Sequence, residues 1–500
     1  MPTLSIDGKQ VTVADGTSVF EAARQNGVAI PHFCYHPKLS IAGNCRMCLV
    51  DIEKMPKPAI SCNTVAMEGM VVHTQTEKVQ ALQKNVLEFI LINHPIDCPV
   101  CDQAGECKLQ QYYMDHTLTE SRFREEKVKK PKKVDLGPYV MLDDERCILC
   151  TRCVRFCDEI SKTGELCVAE RGDHSTLTTF PGKQLDNKYS LNTVDICPVG
   201  ALTSKPFRFQ CRVWFLKSTP SICTGCSNGC NININHHDGK VYRYLPRENE
   251  AVNQCWTCDE GRLSYPFINE NRIFRPALRL DEKLAGASVE DAVSEAAEAI
   301  ARLAPEDVVF LGSAYESNEN NAALKKLAES LGVRDLQYSD HQVENPYSDD
   351  FLIKADKNPN RAGVEHLGFK KFSGGTNLKV VLALEGLNKA DLQRLKEEEP
   401  VLFVLLGSNR SEAADYADVI LPTAVFAEQE GTFTNFQNRV QKFEKALEPE
   451  GEIRPAWRWI ESIARAMGQE WRIPSAESLL EESFGFSYAA LGAEGKVLNK

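Results

Sequence analysis

Four groups of cysteines, one of them with a histidine, have the side chains and the spacing to hold metal in the first half of this chain. The first is Cys34, Cys45, Cys48 and Cys62. Four soft thiolates suit a [2Fe–2S] centre, because they bind iron and neutralise part of its charge. The run Ala42-Gly43-Asn44-Cys45-Arg46 adds a glycine and backbone N–H groups that can wrap a cluster and donate to its sulfurs. One CxxC flanked by two lone cysteines is poor zinc spacing, so iron–sulfur is the favoured reading. The second group is His94, Cys98, Cys101 and Cys107, in NHPIDCPVCDQAGEC. A lone histidine is usually structural, but this one stands four residues before a CxxC. A neutral imidazole binds iron without adding negative charge, as in Rieske centres. A Cys₃His site also suits zinc. Taken alone, this group divides evenly between the two metals, and its neighbours tip it to iron.

The third group says most. Cys147-Ile-Leu-Cys150-Thr-Arg-Cys153-Val-Arg-Phe-Cys157 has bacterial ferredoxin spacing. In two-cluster ferredoxins the fourth cysteine of such a run ligates the other cluster, and the reciprocal run ends in Cys-Pro. Cys197-Pro198 supplies that ending. Counting back from Cys197 by the same spacing gives Asn187, Ser190 and Thr193, none of them a cysteine. The expectation is a two-cluster ferredoxin fold that has lost one cluster. Cys147, Cys150, Cys153 and Cys197 keep a [4Fe–4S] centre, and Cys157 becomes a small buried thiol. The fourth group, Cys223, Cys226, Cys230 and Cys258, fits one more [4Fe–4S] centre, with zinc as its alternative. Cys255 could compete with Cys258, while Cys167 and Cys211 fit no group and read as core residues.

Several domains must position these ligands, since 500 residues exceed one ordinary core. All 19 cysteines lie between Cys34 and Cys258, so a metal-rich half precedes a metal-free half. In a reducing compartment so many thiols are not read as disulfides. The formal net charge of −12 argues against nucleic acid as the main partner. No apolar run is long enough to cross a bilayer, and MPTLSIDGKQ lacks the pattern of a secretory signal. A cytoplasmic protein is expected, held at a membrane only through a partner.

Residues 1–76 read as short strands around one helix, with a hairpin at Asp7-Gly8 and a helix from Ser18 to Gly27. Residues 77–137 contain a helix over 77–92 and a basic stretch, Lys127 to Lys133, that reads as an exposed linker. Residues 138–210 and 211–275 are the third and fourth units. Over 276–500 the grammar changes. Ser288 and Asp291 predict a capping box, Val308 to Leu311 a strand, and Asn320 to Leu331 a helix. Val380 to Leu384 and Val401 to Leu406 have buried-strand length. Alternating strands and helices imply an α/β layer with a parallel sheet.

CRMC at 45, HPIDCPVC at 94, CILCTRCVRF at 147 and DICPVGALTSKP at 195 closely resemble the G subunit of bacterial NADH:quinone oxidoreductase (respiratory complex I), the counterpart of the mitochondrial 75 kDa subunit. The resemblance covers residues 1 to about 270. It implies a β-grasp [2Fe–2S] domain, two [4Fe–4S] centres, one through His94, and an additional [4Fe–4S] centre at Cys223 that some bacterial members carry. It also implies electron entry from a flavin-bearing NADH-oxidising subunit and exit toward quinone through other peripheral-arm subunits at the inner face of the cell membrane. From Gly261 onward, GRLSYPFINENRIFRPALR, and from Tyr416, YADVILPTAVFAEQEGTFTNFQNRVQ, resemble a molybdopterin oxidoreductase domain. No cysteine follows Cys258, and only about 110 residues separate Val308 from Tyr416. This half therefore reads as a shortened, degenerate α/β scaffold with no molybdopterin. The whole reads as an α+β multidomain chain, with ferredoxin-type domains leading into that scaffold. No glycine loop for flavin or NADH is present, so no hydride or acid/base chemistry is expected on this chain. The alternatives are the iron–sulfur subunit of an NAD-linked hydrogenase or a formate dehydrogenase. An iron-only hydrogenase would need further cysteines downstream.

Overall fold

The computed structural model describes residues 1–116, 121–374, 379–470 and 472–498. It divides into two compact units, Met1–Phe215 and Leu216–Lys500.

In the first unit, strands β1 (Thr3–Ile6) and β2 (Lys9–Thr12) form the expected hairpin, with Asp7 and Gly8 both left-handed at the turn. Alternation sends Leu4 and Ile6 into one core with Val19, Phe20 and Ala23 of helix α1 (Val19–Gln25). The Ser18 hydroxyl starts α1 by accepting from the Glu21 N–H at 3.2 Å. With β3 (Leu49–Ile52), β4 (Ala59–Ile60) and β5 (Val71–His73) the sheet runs β2-β1-β5-β3-β4, and β1 and β5 are parallel. Thr76 caps α2 (Glu77–Leu91), which packs back on this sheet, where Gln83 Nε2 donates to the Leu49 carbonyl at 3.1 Å. Then come α3 (Lys108–His116), β6 (Val134–Asp135), β7 (Val140–Leu142), α4 (Arg152–Glu159), β8 (Leu166–Ala169), β9 (Thr176–Thr179), α5 (Asn192–Asp195) and β10 (Leu202–Ser204). Strands β10-β7-β6 form one sheet and β8-β9 a second ladder.

The basic stretch Lys127 to Lys133 is largely exposed and has no regular secondary structure, but several of its lysines are tethered. Lys127 Nζ donates to the carbonyls of Leu91 (2.9 Å) and His94 (2.6 Å). Lys132 pairs with Asp97, Asp143 and Glu145, and Lys130 reaches Asp144. Lys132 stays exposed while making these pairs, and Lys127 and Lys130 are half-buried, held by carbonyls and by the carboxylates gathered beside the His94 loop.

The second unit opens with an antiparallel meander, β11 (Lys217–Ile222), β12 (Asn231–His237) and β13 (Lys240–Pro246), then short helices α6 (Asp259–Arg262) and α7 (Pro266–Asn269). Its main sheet contains β14 (Ala277–Leu280), β15 (Lys283–Gly286), β16 (Val308–Ser313), β17 (Gln337–Ser339), β18 (Lys370–Lys371), β19 (Val380–Leu384), β20 (Leu402–Gly407) and β21 (Val419–Pro422). The order is β15-β14-β21-β20-β19-β16-β17-β18, parallel from β21 to β18. Strands β16, β19 and β20 are buried throughout, as parallel strands covered on both faces must be. Val308, Phe310, Leu382 and Leu384 face one core with α8 (Val289–Ala301) and α9 (Asn318–Ser330). Val364 of α10 (Arg361–His366) joins that first core too, whereas Val309, Leu311, Val381 and Ala383 face the other, where Leu392 and Leu395 of α11 (Lys389–Glu398) and Ala413 of α12 (Glu412–Tyr416) join them.

Two boundaries differ from expectation. Helix α9 starts at Asn318, because the Ser317 hydroxyl accepts from the Asn320 N–H at 3.1 Å and draws that residue into the first turn. Strand β20 starts at Leu402, leaving Val401 exposed. At Ser288 the cap forms with the Asp291 N–H at 3.0 Å, and the Asp291 carboxylate accepts from the serine hydroxyl at 2.7 Å.

Candidate metal centres

None of the nineteen cysteines is in a disulfide. In each of the four groups the cysteine sulfurs come together, on loops and short turns between the elements above except for Cys153, which lies in the first turn of α4. In the first, the thiols pair two by two: Cys34 bonds Cys45, and Cys48 bonds Cys62. Within each pair one sulfur accepts. Cys34 is drawn down to about 5 by the Cys45 thiol and Cys48 to about 7 by the Cys62 thiol, while the partner thiol and burial push Cys45 and Cys62 up. Two pairs of sulfurs suit two irons, each taking two terminal thiolates.

In the third group the sulfurs act on one another through space. Cys153 feels Cys150, Cys147 and Cys197, and burial raises all four thiols. The loop supplies N–H donors at a fixed offset. The amide of Leu149 faces Cys147, that of Arg152 faces Cys150, and those of Val199 and Ala201 face Cys197. Leu149 and Thr151 make this possible with left-handed φ of 53° and 60°, a turn that gathers successive N–H groups around an anion. The same offset recurs at Cys45 (Met47), Cys101 (Gln103), Cys107 (Leu109) and Cys223 (Gly225). CxxC spacing was the visible signal. The two-residue N–H offset behind it was not.

Cys157 lies buried on α4 beside Glu165; burial, with the charge of Glu165, pushes its thiol up to about 12. A polar network occupies the neighbourhood of the missing second site. Asn187 Nδ2 donates to Glu165 at 2.5 Å, Thr163 to Glu165 at 2.8 Å, and Thr193 to the Ser190 carbonyl at 2.7 Å.

The second group forms on the 3₁₀ turn Cys98–Val100 and the start of α3. Cys101 feels Cys98, and Cys107 feels Cys101. His94 and Cys101 share Asp97 and Arg146 as charged neighbours. Burial lowers the imidazole to about 4, so it is neutral, and its buried Nδ1 has no hydrogen-bond partner. A neutral ring with an unpartnered nitrogen has the chemistry of a metal ligand.

In the second unit, Cys230 feels Cys223, Cys226 and Cys258. Cys258, rather than Cys255, is the sulfur facing the other three, and it caps α6 by accepting from the Gly261 N–H at 3.3 Å. A Cβ on Gly261 would stand 2.7 Å from the Cys223 sulfur, so this helix start is cut to fit the group. Asn228 Nδ2 donates to the Cys230 sulfur at 3.1 Å. The buried Tyr244 hydroxyl, a neighbour of Cys223, has no partner.

Among the described residues, no three His, Cys, Asp or Glu side chains stand as close as the ligands of a single ion. Four sulfurs around one zinc would lie about 4 Å apart, whereas the thiolates of a cluster meet different iron atoms. The buried all-thiolate sets, the N–H···S donors and the unpartnered polar atoms fit iron–sulfur clusters.

Hydrogen bonds join the three groups of the first unit. Arg155 Nη2 donates to the Cys34 carbonyl at 2.6 Å and the Cys150 carbonyl at 3.3 Å, and Asn44 donates to the Leu149 carbonyl at 3.1 Å. On the other side, Pro198 accepts from the Lys108 N–H at 3.0 Å, and a Cβ on Gly200 would overlap the Cys101 sulfur. The second unit also has a crevice of 1220 Å³ at the carboxyl ends of β16, β19 and β20, where the strand order reverses. Tyr315, Glu385, Lys389 and Arg410 line it, and no cysteine is among its described lining residues.

Five family models match the chain. They are a 2Fe-2S iron-sulfur cluster binding domain (residues 1–77), the NADH-ubiquinone oxidoreductase-G iron-sulfur binding region (83–122), the ferredoxin-like domain of NADH-quinone oxidoreductase subunit 3 (137–203), the molybdopterin oxidoreductase Fe4S4 domain (216–270) and molybdopterin oxidoreductase (358–466). The chain is 41% identical over 367 residues to the NADH-quinone oxidoreductase G subunit of Rickettsia conorii, covering 73% of this chain and 54% of that one. It is 42% identical over 332 residues to the mitochondrial NADH dehydrogenase [ubiquinone] iron-sulfur protein 1 of Solanum tuberosum, covering 66% and 45%. A solved chain of an NAD+-reducing [NiFe]-hydrogenase is 30% identical over 42% of this chain and 91% of that one, with a TM-score of 0.39, too low to establish a shared fold. The chain spans about half the length of the curated relatives it matches. Ferredoxin-type domains followed by a molybdopterin-oxidoreductase-type domain, at this identity, place the chain in the family of the NADH-quinone oxidoreductase G subunit, together with the mitochondrial 75/78 kDa iron–sulfur subunits.

Proposed function

We propose that this chain is an electron-transfer subunit of NADH:quinone oxidoreductase, relaying electrons from the flavin of an NADH-oxidising subunit toward quinone. Its ligands are Cys34, Cys45, Cys48 and Cys62 for one [2Fe–2S] cluster. Three [4Fe–4S] clusters take His94, Cys98, Cys101 and Cys107; Cys147, Cys150, Cys153 and Cys197; and Cys223, Cys226, Cys230 and Cys258. Bound clusters supply one-electron centres. The chain's own part is to bind, bury and space them, and no side chain needs to move a proton.

The observation that carries this reading is the hydrogen-bonded continuity of the first three groups. Arg155 ties the Cys34 loop to the Cys150 loop, and Pro198-Gly200 ties the Cys197 loop to Cys101 and Cys107. The matching relatives favour this function over a hydrogenase subunit. We read the second unit as a shortened scaffold, because no cysteine follows Cys258 to supply a thiolate ligand for molybdenum. No helix among the described residues is long and apolar enough to cross a membrane. The family resemblance supports a place at the inner face of the cell membrane, held there through other peripheral-arm subunits.

Anaerobic purification, iron counting and electron paramagnetic resonance of the reduced protein test this directly. The expected result is one binuclear and three tetranuclear signals with about 14 iron atoms per chain. A colourless protein carrying zinc would overturn it.

A further inference from the structure

Between the first and third groups lies a buried cation with no acid to balance it. Arg152, at the start of α4, is 4% exposed. Its Nη1 donates to the Ile196 carbonyl at 3.0 Å and its Nη2 to the Tyr35 carbonyl. Each acceptor is the residue beside a ligand: Tyr35 follows Cys34, and Ile196 precedes Cys197. Its Nε is buried with no partner. No carboxylate among the described residues pairs with it. The negative groups that act on it are sulfurs of both sets, Cys150, Cys197 and Cys34.

An arginine stays charged when buried, and an unpaired buried charge is strongly destabilising. The fold therefore tolerates this guanidinium only if negative charge arrives beside it. Each all-cysteine group brings four thiolate charges, and each added electron brings one more.

We infer that Arg152 is a counter-cation shared by the Cys34 and Cys147 centres, with its free Nε–H donating to a sulfur at their boundary, and that it raises both reduction potentials together. It is a positioning residue: it acts on the centres through charge and one hydrogen bond and stays protonated throughout. The inference rests on the proposed cluster loading. It adds that two centres in series have their potentials set by one side chain, so neither can be tuned alone at this position.

The test is redox titration of the two signals in wild type, R152Q and R152K. Glutamine keeps an amide donor for a carbonyl but removes the charge. With iron content intact, R152Q should lower both midpoints, so that the reduced-to-oxidised ratio at a fixed potential falls about tenfold at each, or about 59 mV for one electron. R152K should hold both near wild type, and the His94 centre should move least. Unchanged midpoints in R152Q overturn the inference. So does a shift at only one of the two centres, or an equal shift at all three, which would mean general loosening.

If R152Q does not retain iron, arginine labelled with ¹⁵N at Nε alone decides, because the main-chain amide of Arg152 also faces Cys150. Reduced wild type should show nitrogen hyperfine coupling at one of these centres, and R152K should lack it. No coupling in wild type, or coupling that persists in R152K, overturns the inference. Wild type without iron–sulfur signals would instead defeat the cluster assignment itself.

Discussion

At the residue scale, the distinction that matters is between cysteines that face other sulfurs and cysteines that face only packing. Cys150 and Cys157 lie seven residues apart, and both are buried. Cys150 meets the Arg152 amide and the Cys197 sulfur, whereas Cys157 meets Glu165 and a polar network. C157A should keep the full iron complement and all signals, with a loss of stability of about 1 kcal/mol from the small cavity. C150A should lose the signal of the Cys147 centre. Iron loss in C157A would mean that the orphan thiol is a ligand after all. His94 allows a second comparison. Its neutral ring brings no negative charge to its group, so H94C should lower that centre's potential by adding a thiolate. A redox titration that finds the potential unmoved counts against ligation by His94. Tyr244 is the corresponding residue of the second unit. Its unpartnered hydroxyl beside Cys223 is placed to donate to sulfur, so Y244F should lower that centre's potential while leaving the others alone.

At the element scale, the candidate ligand groups stand out in the sequence because cluster ligation demands particular residue types at particular spacing. Cys147, Cys150 and Cys153 could be read against Cys197 without any structure. The buried strands of the second unit were equally readable, since Val380–Leu384 is apolar at every position. What spacing could not show was proximity between segments far apart in sequence. Nothing in the run Lys127 to Lys133 signals that three of its lysines fold onto carbonyls and carboxylates near His94. Nothing in the sequence around Glu316 signals that it and Glu385 form a buried acid pair. Burial and Glu385 push Glu316 up to about 8, and burial pushes Glu319 to about 7. Between about 4.5 and about 8 the folded state therefore holds a proton on Glu316 that the unfolded chain has released. The stability from this group is complete below the unfolded value and is lost as pH rises through the folded one. Thermal unfolding of wild type should weaken across that window by at most about 1.4 kcal/mol per pH unit per group. E316Q mimics the neutral acid and should show a flatter profile, with its advantage greatest at alkaline pH. Parallel profiles for the two proteins would show that Glu316 is ionised in the fold.

At the scale of the whole molecule, the chain packs as two units, and the ligand sets respect that division. Three groups lie wholly within Met1–Phe215, and the fourth lies wholly within Leu216–Lys500. The groups that surround the Cys230 sulfur, namely Cys223, Cys226, Cys258 and Asn228, all belong to the second unit. By contrast, the loops of the first unit's groups are joined to one another by hydrogen bonds and close packing, so damage should spread between them. Gly200 is the test position on that side, because a methyl there overlaps the Cys101 sulfur, and the same loop carries Cys197. G200A should therefore weaken both the His94 and the Cys147 centres, although it removes no ligand. C230A should do the opposite, removing one ligand from a group that shares no loop with the rest. It should lose about four irons and one tetranuclear signal, while the binuclear, Cys147 and His94 signals keep their wild-type midpoints. Paired titrations of G200A and C230A check both halves of the argument. If C230A also shifts the first unit's centres, or if G200A damages only one of its two neighbours, then the ligand sets are not partitioned as the packing of the two units requires.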